Sequence, residues 1–512
     1  MKNVISRVEQ VENDVLKTTD TITFEGAPAW KISDRERLIQ YAMTGVLGRT
    51  FYVSQKDIID EAIDLIKRSE ASDLAKAIVI GRNVGYIRAF PILGLVYLSQ
   101  KDTNLFKKCF EHVIYTGDDL ENFIDLTRKT RGFGRSIKTA INDWLKKKVN
   151  PYYALKYRKA IGDAIRLSRP KDNNCIYSYI LRGKTDSATD VNIQKAYDEF
   201  KEFSAFEEIP KLLNEGNYEQ VKENILNYRL DVDSLTAYYD KFDKNIWDAI
   251  AKNSPVMRFL KYLNKFERVG VNTYDYAKQK FTVENLKKAK VFPFRLFMTW
   301  KNISSTNKVG DVLADVLDDY IIQYDWNKFN EKTWAICPDV SGSMNGRLGG
   351  YSARSTLSYL DISAMFTGFL VKGVDDAIVL PWASSLKPYK IPKKDSVISH
   401  MNYIKSLGGG GTNMNCALDY MLKNNIERDY CVFVTDTESY NRRSYNGGNE
   451  SWIESWIKYK KKYPNACAFV IRCDGYDQRP MSEEQCVEYN IHQIFGWNDS
   501  VISYIQNIVE NS

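Results

Sequence analysis

A chain of 512 residues is too long for one ordinary hydrophobic core and calls for two or more domains. Hydrophobic residues at 44% and charged residues at 27% exclude a largely disordered chain, and no apolar stretch approaches the roughly 20 residues needed to span a bilayer. The net charge of +7 lies before residue 331, since residues 331–512 hold 19 basic against 20 acidic side chains; a basic surplus confined to one region points to a polyanionic partner there.

The start, Met1 to Gln10, carries charge and lacks an apolar h-region, so no secretory signal is expected. The eight cysteines include no C-x-x-C pair and several lie in apolar runs. Buried free thiols in a reducing compartment follow, and a cytoplasmic monomer is the expectation. After a polar leader over residues 1–27, the pattern to residue 330 is helix after helix. Asp34 caps a segment Arg35 to Met43, Ser54 and Asp57 open one ending near Lys67, and Ser72 and Asp73 open another. Leu120 to Thr127, Ser136 to Lys147, Val191 to Phe203, Val221 to Tyr228, Trp247 to Leu263 and Val283 to Ala289 continue the series. Helices of about 10 to 15 residues in antiparallel pairs suggest a helical-repeat array.

One window stands apart. Arg128 to Lys171 holds fourteen Lys or Arg against Asp143 and Asp163, with Phe133, Trp144, Tyr152, Tyr153 and Tyr157 interleaved. At helical spacing Arg135 and Lys138 share one face, while Ile137, Ile141 and Trp144 share another that faces the core. Cations for phosphates beside aromatics for base stacking are the composition of an RNA surface. The plain alternative is a solvated helical face over buried aromatics.

From residue 331 the pattern alternates strand and helix. Thr333 to Cys337 reads as a strand, followed by the loop Asp339 to Met344 and a helix Thr356 to Val371. A strand Ala377 to Trp382, a helix Ala417 to Lys423, a strand Cys431 to Val434, a helix Trp452 to Lys462, strands Ala466 to Ile471 and Ile491 to Phe495, and a helix Ser500 to Val509 complete it. That order predicts a mostly parallel sheet covered on both faces. Asp339, Ser341 and Ser343 place a carboxylate and two hydroxyls in one turn at the carboxyl end of a strand, the usual ligand position in an open α/β sheet. Two later loops are suited to complete an oxygen shell: Gly408 to Gly411 leading into Thr412, and Asp436 after a strand. A phosphate loop would need Lys and then Ser or Thr after its last glycine, whereas Thr412 follows Gly411 directly. Asp-x-Ser-x-Ser, then Thr, then Asp, resembles the metal-ion-dependent adhesion site of von Willebrand factor A domains, which implies Mg²⁺ or Mn²⁺ and an acidic protein partner. Only His112, His400 and His492 are present, none near a plausible nucleophile, and neither a zinc spacing nor a nucleotide fingerprint is found, so no catalysis is expected.

The runs Arg131-Gly-Phe-Gly-Arg-Ser-Ile-Lys-Thr-Ala-Ile141 and Lys156-Tyr-Arg158, with Arg166-Leu-Ser-Arg169, resemble the Ro ribonucleoprotein autoantigen family and its TROVE domain. So do Met43-Thr-Gly-Val-Leu-Gly-Arg-Thr-Phe-Tyr52 and Val291-Phe-Pro-Phe-Arg295. The correspondence runs from about Phe24 to the C-terminus. It implies a ring of HEAT-like helical repeats over residues 28–330, closed by a doubly wound, Rossmann-like A domain over 331–512. It further implies binding of structured Y RNAs on the outer face and of single-stranded 3′ ends of misfolded small RNAs through a basic central hole. Carried over by position, the RNA-binding residues are Arg131, Arg135, Lys138, Lys156, Arg158, Lys159, Arg166 and Arg169, with Lys156 matching a Y-RNA-contacting lysine. The chain departs from the family at Ala160, which replaces a basic residue, at Arg169, which replaces a histidine, and by a few residues fewer between Gly162 and Arg166. A basic surface survives these changes, with Arg158 and Lys159 as compensating cations. The competing readings are a metal-dependent adhesion module on a helical scaffold without an RNA role, and a metal-dependent nuclease.

Overall fold

The computed structural model describes residues 19–23, 28–47, 53–172, 174–183, 190–239, 242–291, 293–303, 308–323, 325–347, 357–437 and 451–511. Most of the polar leader, Gly48 to Tyr52 of the Met43–Tyr52 run and Phe292 of the Val291–Arg295 run lie outside these residues. The parallel sheet starts at Thr333, just past the boundary expected at residue 331. The compact units divide elsewhere: Met1–Phe90 joins Leu317–Ser512, and Pro91–Val316 forms the second unit.

The reason lies in the first unit's pairing. Besides β1 (Thr21–Ile22), β2 (Pro28–Lys31) and β3 (Thr333–Pro338), it contains β4 (Asp376–Val379), β5 (Tyr430–Thr435), β6 (Cys467–Arg472), β7 (Gln478–Arg479) and β8 (Ile491–Phe495). Strand β2 pairs antiparallel with β1 and β7, so that Trp30 faces Arg479. Helix Asp34–Thr44, closed by a capping box at Ser33, then lies on the loop after β6. Arg37 Nη1 donates to Gly475 O at 2.6 Å, Gln40 Nε2 to Tyr476 O at 3.0 Å, and Glu36 pairs with Arg479 at 2.5 Å. Val46 packs so close to Gly475 that a Cβ there would lie 2.9 Å from Val46 Cγ1.

The five-stranded sheet is parallel throughout, in the order β4-β3-β5-β6-β8. Strands β3, β5 and β6 are apolar on both faces, as a sheet covered on both sides requires. Ala335, Cys337, Cys431, Phe433, Ala468 and Val470 turn to one face, under Met414, Trp452 and Trp456. Helix Tyr359–Gly373, buried nearly all round, packs against β3, β4 and β5 and beside helix Val397–Ser406. The strand expected to reach Trp382 ends at Val379; Trp382 makes isolated bridges to Asp339, parallel, and to Leu386, antiparallel. All eight cysteines are free, six of them buried, and Cys416 and Cys486 partly exposed.

The second unit is a succession of short helices. Side chains of Asp102, Thr116, Asn150, Asn174, Asp190, Asn217, Asp231, Asp243 and Thr282 each accept a hydrogen bond at a helix N-terminus, each contributing about 1 kcal/mol. Aromatic clusters join successive helices: Phe106, Phe110 and Phe123; Trp144, Tyr153 and Tyr157; Tyr179 stacked on Phe203 at 3.9 Å; Phe259 and Phe266. Buried Tyr239 donates its Oη to Phe206 O at 2.9 Å. Two expected helices are each two. Val191–Glu199 stops where Phe200 turns extended, and Lys201–Asn214 follows. Pro255, extended and lacking an N–H, separates Lys244–Asn253 from Val256–Arg268. Among the described residues no helix is long and apolar enough to cross a membrane.

Candidate functional site

Strands β3 and β5 are neighbours, yet the chain leaves β3 toward β4 and leaves β5 toward β6. Such opposed connections open a crevice at the carboxyl ends of the two strands. Asp339 follows β3 there and Asp436 follows β5, and both are fully buried. Asp339 Oδ1 accepts from the Ser341 N–H at 2.8 Å and Oδ2 from Thr435 Oγ1 at 2.7 Å. Ser341 Oγ and Ser343 Oγ stand 3.2 Å apart. The glycine loop is drawn into the same crevice: Gly342 N donates to Gly410 O at 2.9 Å and Gly409 N to Val340 O at 2.8 Å. Gly409 and Gly410 have φ of 122° and 97°, open to glycine and strained for any other residue. Thr412, two residues on, is buried as well.

The crevice therefore gathers the loops bearing Asp339, Ser341, Ser343, Thr412 and Asp436. Burial pushes the Asp339 carboxyl up to about 6, against the lowering effect of its bonds from Ser341 and Thr435. A cation beside it would relieve that cost. The hydroxyl separation is close to the edge of roughly 3 Å expected for an octahedron of oxygens about 2.1 Å from a central ion. Among the described residues no group of three or more His, Cys, Asp or Glu side chains is placed to hold a metal ion. The donors here are two carboxylates and three hydroxyls, a hard oxygen-only set suited to Mg²⁺ or Mn²⁺.

In the second unit, the basic window becomes helices Arg135–Lys148, Pro151–Lys156 and Arg158–Ser168. Ile137, Ile141 and Trp144 are buried, as their spacing predicts, and Trp144 Nε1 donates to Ile114 O at 2.8 Å. Arg135, Lys138 and Lys146 lie along the opposite, exposed face. Asn142, on the same stripe, donates to Ser168 O at 3.3 Å, which brings exposed Arg169 alongside. Arg135, Lys138 and Arg169 have no ion-pair partner among the described residues.

The other five candidate cations are engaged. Arg131 Nη1 donates to Ser99 O and Oγ at 2.6 and 2.8 Å. Lys159 pairs with Glu121 and Arg166 with Asp163, both at 3.1 Å and exposed. Arg158 pairs with Glu207 at 3.1 Å and donates to Tyr179 O at 3.1 Å, closing the end of helix Cys175–Arg182. Lys156 departs furthest from expectation, with its side chain 4% exposed between Asp231 at 3.5 Å and Asp233 at 3.3 Å. Burial alone would pull its pKa down, but Tyr152 and Asp231 outweigh that and hold it above the usual lysine range. Lys156 is a member of an ion-pair cluster and presents no free charge to a ligand.

No family profile matches the chain. RNA-binding protein RO60 of Deinococcus radiodurans is 22% identical over 483 residues, which span 86% of this chain and 88% of that protein. The crystal structure of the Ro (RSR) protein of Deinococcus radiodurans shares the fold, with a TM-score of 0.62 at 15% identity, over 94% of this chain and 100% of the other. The chain is thus similar to Ro proteins over most of its length. A third protein, the uncharacterized MJ0077 of Methanocaldococcus jannaschii, is 26% identical over 249 residues, 47% of this chain and 62% of its own length.

Reading by position in the sequence missed the partners of Lys156. Asp231 and Asp233 have the form of an ordinary helix start, and nothing near them in sequence marks a distant lysine.

Proposed function

We propose that this is a non-catalytic RNA-binding protein of the Ro type, taking Y-like RNAs and single-stranded 3′ ends of small RNAs, and carrying an A-type domain that binds a divalent ion. The observation that carries the RNA reading is the stripe Arg135, Lys138 and Lys146 with Arg169 beside it: exposed cations over an apolar face. A free cation can neutralise a phosphate without first giving up a carboxylate. The relative named as RNA-binding over most of the chain supports the same reading.

In the crevice, Asp339, Ser341, Ser343, Thr412 and Asp436 would hold Mg²⁺ or Mn²⁺, which when bound supplies an electrophilic centre for an acidic side chain of a partner protein. Two carboxylates balance a divalent charge, so a partner's carboxylate would be held through the ion's open coordination. Hydroxyl-rich ligation favours holding a partner over hydrolysis.

The test is a salt titration of RNA binding. Replacing Arg135, Lys138 and Arg169 together with alanine is expected to weaken binding and flatten the log–log salt dependence by roughly 2 to 3, near one unit per phosphate contact. Stability should be unaffected, because none of the three side chains is buried. Wild-type affinity and slope in the triple variant at several salt concentrations would remove the stripe from the RNA surface.

A further inference from the structure

Two cavities of about 350 and 420 Å³ open side by side in the second unit and share Tyr152, Arg229 and Asp231. The first adds Asn227 and Tyr228, the second Asn253. Each exceeds the lower bound of about 300 Å³ typical of small-molecule sites. The position of Tyr152 is unusual. A half-buried tyrosine ordinarily hides its ring and leaves its hydroxyl to water. Here the hydroxyl is the anchored end, accepting from Lys156 Nζ at 2.9 Å and donating to Asp231 Oδ2 at 3.2 Å, while the residue is 44% exposed. Tyr153 supports the ring from the side at a centroid distance of 6.0 Å. The result is a fixed aromatic surface standing between two cavities.

Arg229 stands at the tip of the loop between helices Tyr218–Asn227 and Val232–Tyr238, with φ of 50°. Its side chain is exposed and has no hydrogen-bond or ion-pair partner among the described residues. The carboxylates below do not cancel it. Asp231 and Asp233 are shared by Lys156, Arg258 and Lys261, and of the other charged lining residues Glu202 stands in the first cavity and Lys252 in the second, so the Arg229 charge is not paired away.

We propose that this double cavity is a subsite for single-stranded RNA, holding two consecutive nucleotides with one base stacked on Tyr152 and a phosphate on Arg229. The proposal rests on the RNA-binding reading and names a place for the strand that the basic stripe does not provide. A ring with a free face suits an unpaired base, because the bases of a duplex already stack on one another. The Asn227 amide in one lobe and the Oδ1 of Asn253 in the other, whose Nδ2 already donates to Leu230 O at 3.2 Å, offer polar contacts without demanding one base. Lys156 then acts as a positioning residue, holding Tyr152 and touching no RNA.

A uridine hexamer with one central 4-thiouridine tests this on the full chain, by fluorescence anisotropy and by mapping the photo-crosslinked peptide. Arg229→Gly is the principal variant, because glycine suits φ near 50° and the fold should survive. It should lower the salt slope for the hexamer by about 0.7, one single-strand phosphate contact. Tyr152→Ala should weaken hexamer binding about tenfold, and crosslinks should fall on Tyr152 or on residues 227–231. Unchanged hexamer binding in both variants, with crosslinks elsewhere, would overturn the subsite. So would uridine monophosphate displacing the hexamer at equal concentration, which would indicate a mononucleotide pocket. Binding of structured RNA that is lost in the Arg135, Lys138 and Arg169 triple variant would still stand in either case. A wild-type chain that binds structured RNA and not the hexamer would overturn the subsite alone.

Discussion

Asp474→Ala is expected to destabilise the first unit by about 3–5 kcal/mol, the cost of leaving one partner of a buried ion pair uncompensated. Arg472 and Asp474 are both fully buried and meet twice, Nη2 to Oδ1 at 2.7 Å and Nε to Oδ2 at 3.2 Å. Asp474 Oδ1 also accepts from Tyr476 N at 2.9 Å and from Gln40 Nε2 at 3.3 Å. The pair thus shapes the loop on which helix Asp34–Thr44 rests, and its loss should release that helix along with weakening β6. Hydrogen exchange should show this as faster exchange of the amides of residues 37–44, with a lower urea midpoint for the unit. Arg472→Met combined with Asp474→Ala removes both charges and should recover most of the loss. A single variant within about 1 kcal/mol of wild type would show that water or another group compensates the guanidinium.

The contrast between these networks and the crevice explains what could be read in advance. Asp339, Ser341 and Ser343 fall in one turn, and Thr412 and Asp436 sit at the starts or ends of strongly patterned elements, so sequence order placed them on one edge of a parallel sheet. Apolar strands and helix starts are local signals. The seat of the N-terminal helix is not: Gln40 and Asp474 are separated by 434 residues, and Gln40 alone has the look of a surface glutamine. The same holds for Lys156, whose tyrosine neighbour reaches Asp231 across 79 residues. A lysine in a basic run was read by its charge and its likeness to a family position, while its exposure depended on carboxylates from later helices. Pro255 was a signal that local reading had available; it ended one helix and began another within a stretch whose apolar spacing ran through.

Asp339→Asn is expected to stabilise the metal-free protein at neutral pH and to abolish its stabilisation by Mg²⁺. Asp339 is fully buried with a carboxyl pushed up to about 6, so holding it ionised at pH 7 without a cation costs folding free energy. An amide of the same shape carries no such cost. Its Oδ1 still accepts from Ser341 N, and its NH₂ can donate to Thr435 Oγ1, which turns from donor to acceptor. With the ion bound the order should reverse. A divalent cation at 100 times its dissociation constant stabilises the wild-type chain by about 2.7 kcal/mol, a gain the asparagine variant lacks. Thermal unfolding in chelator and then in millimolar Mg²⁺, with Ca²⁺ and Zn²⁺ for comparison, measures both halves. The wild-type Tm should rise most with Mg²⁺ or Mn²⁺, as an oxygen-only donor set requires, and the variant's Tm should stay level. An equal Mg²⁺-dependent rise in both proteins would remove Asp339 from the ligand set. A rise in neither, with the variant still the more stable, would leave Asp339 as a buried carboxylate that costs stability without a metal to answer for it. RNA affinity serves as the internal control, since Arg135, Lys138 and Arg169 lie in the other compact unit and should bind alike in both chains.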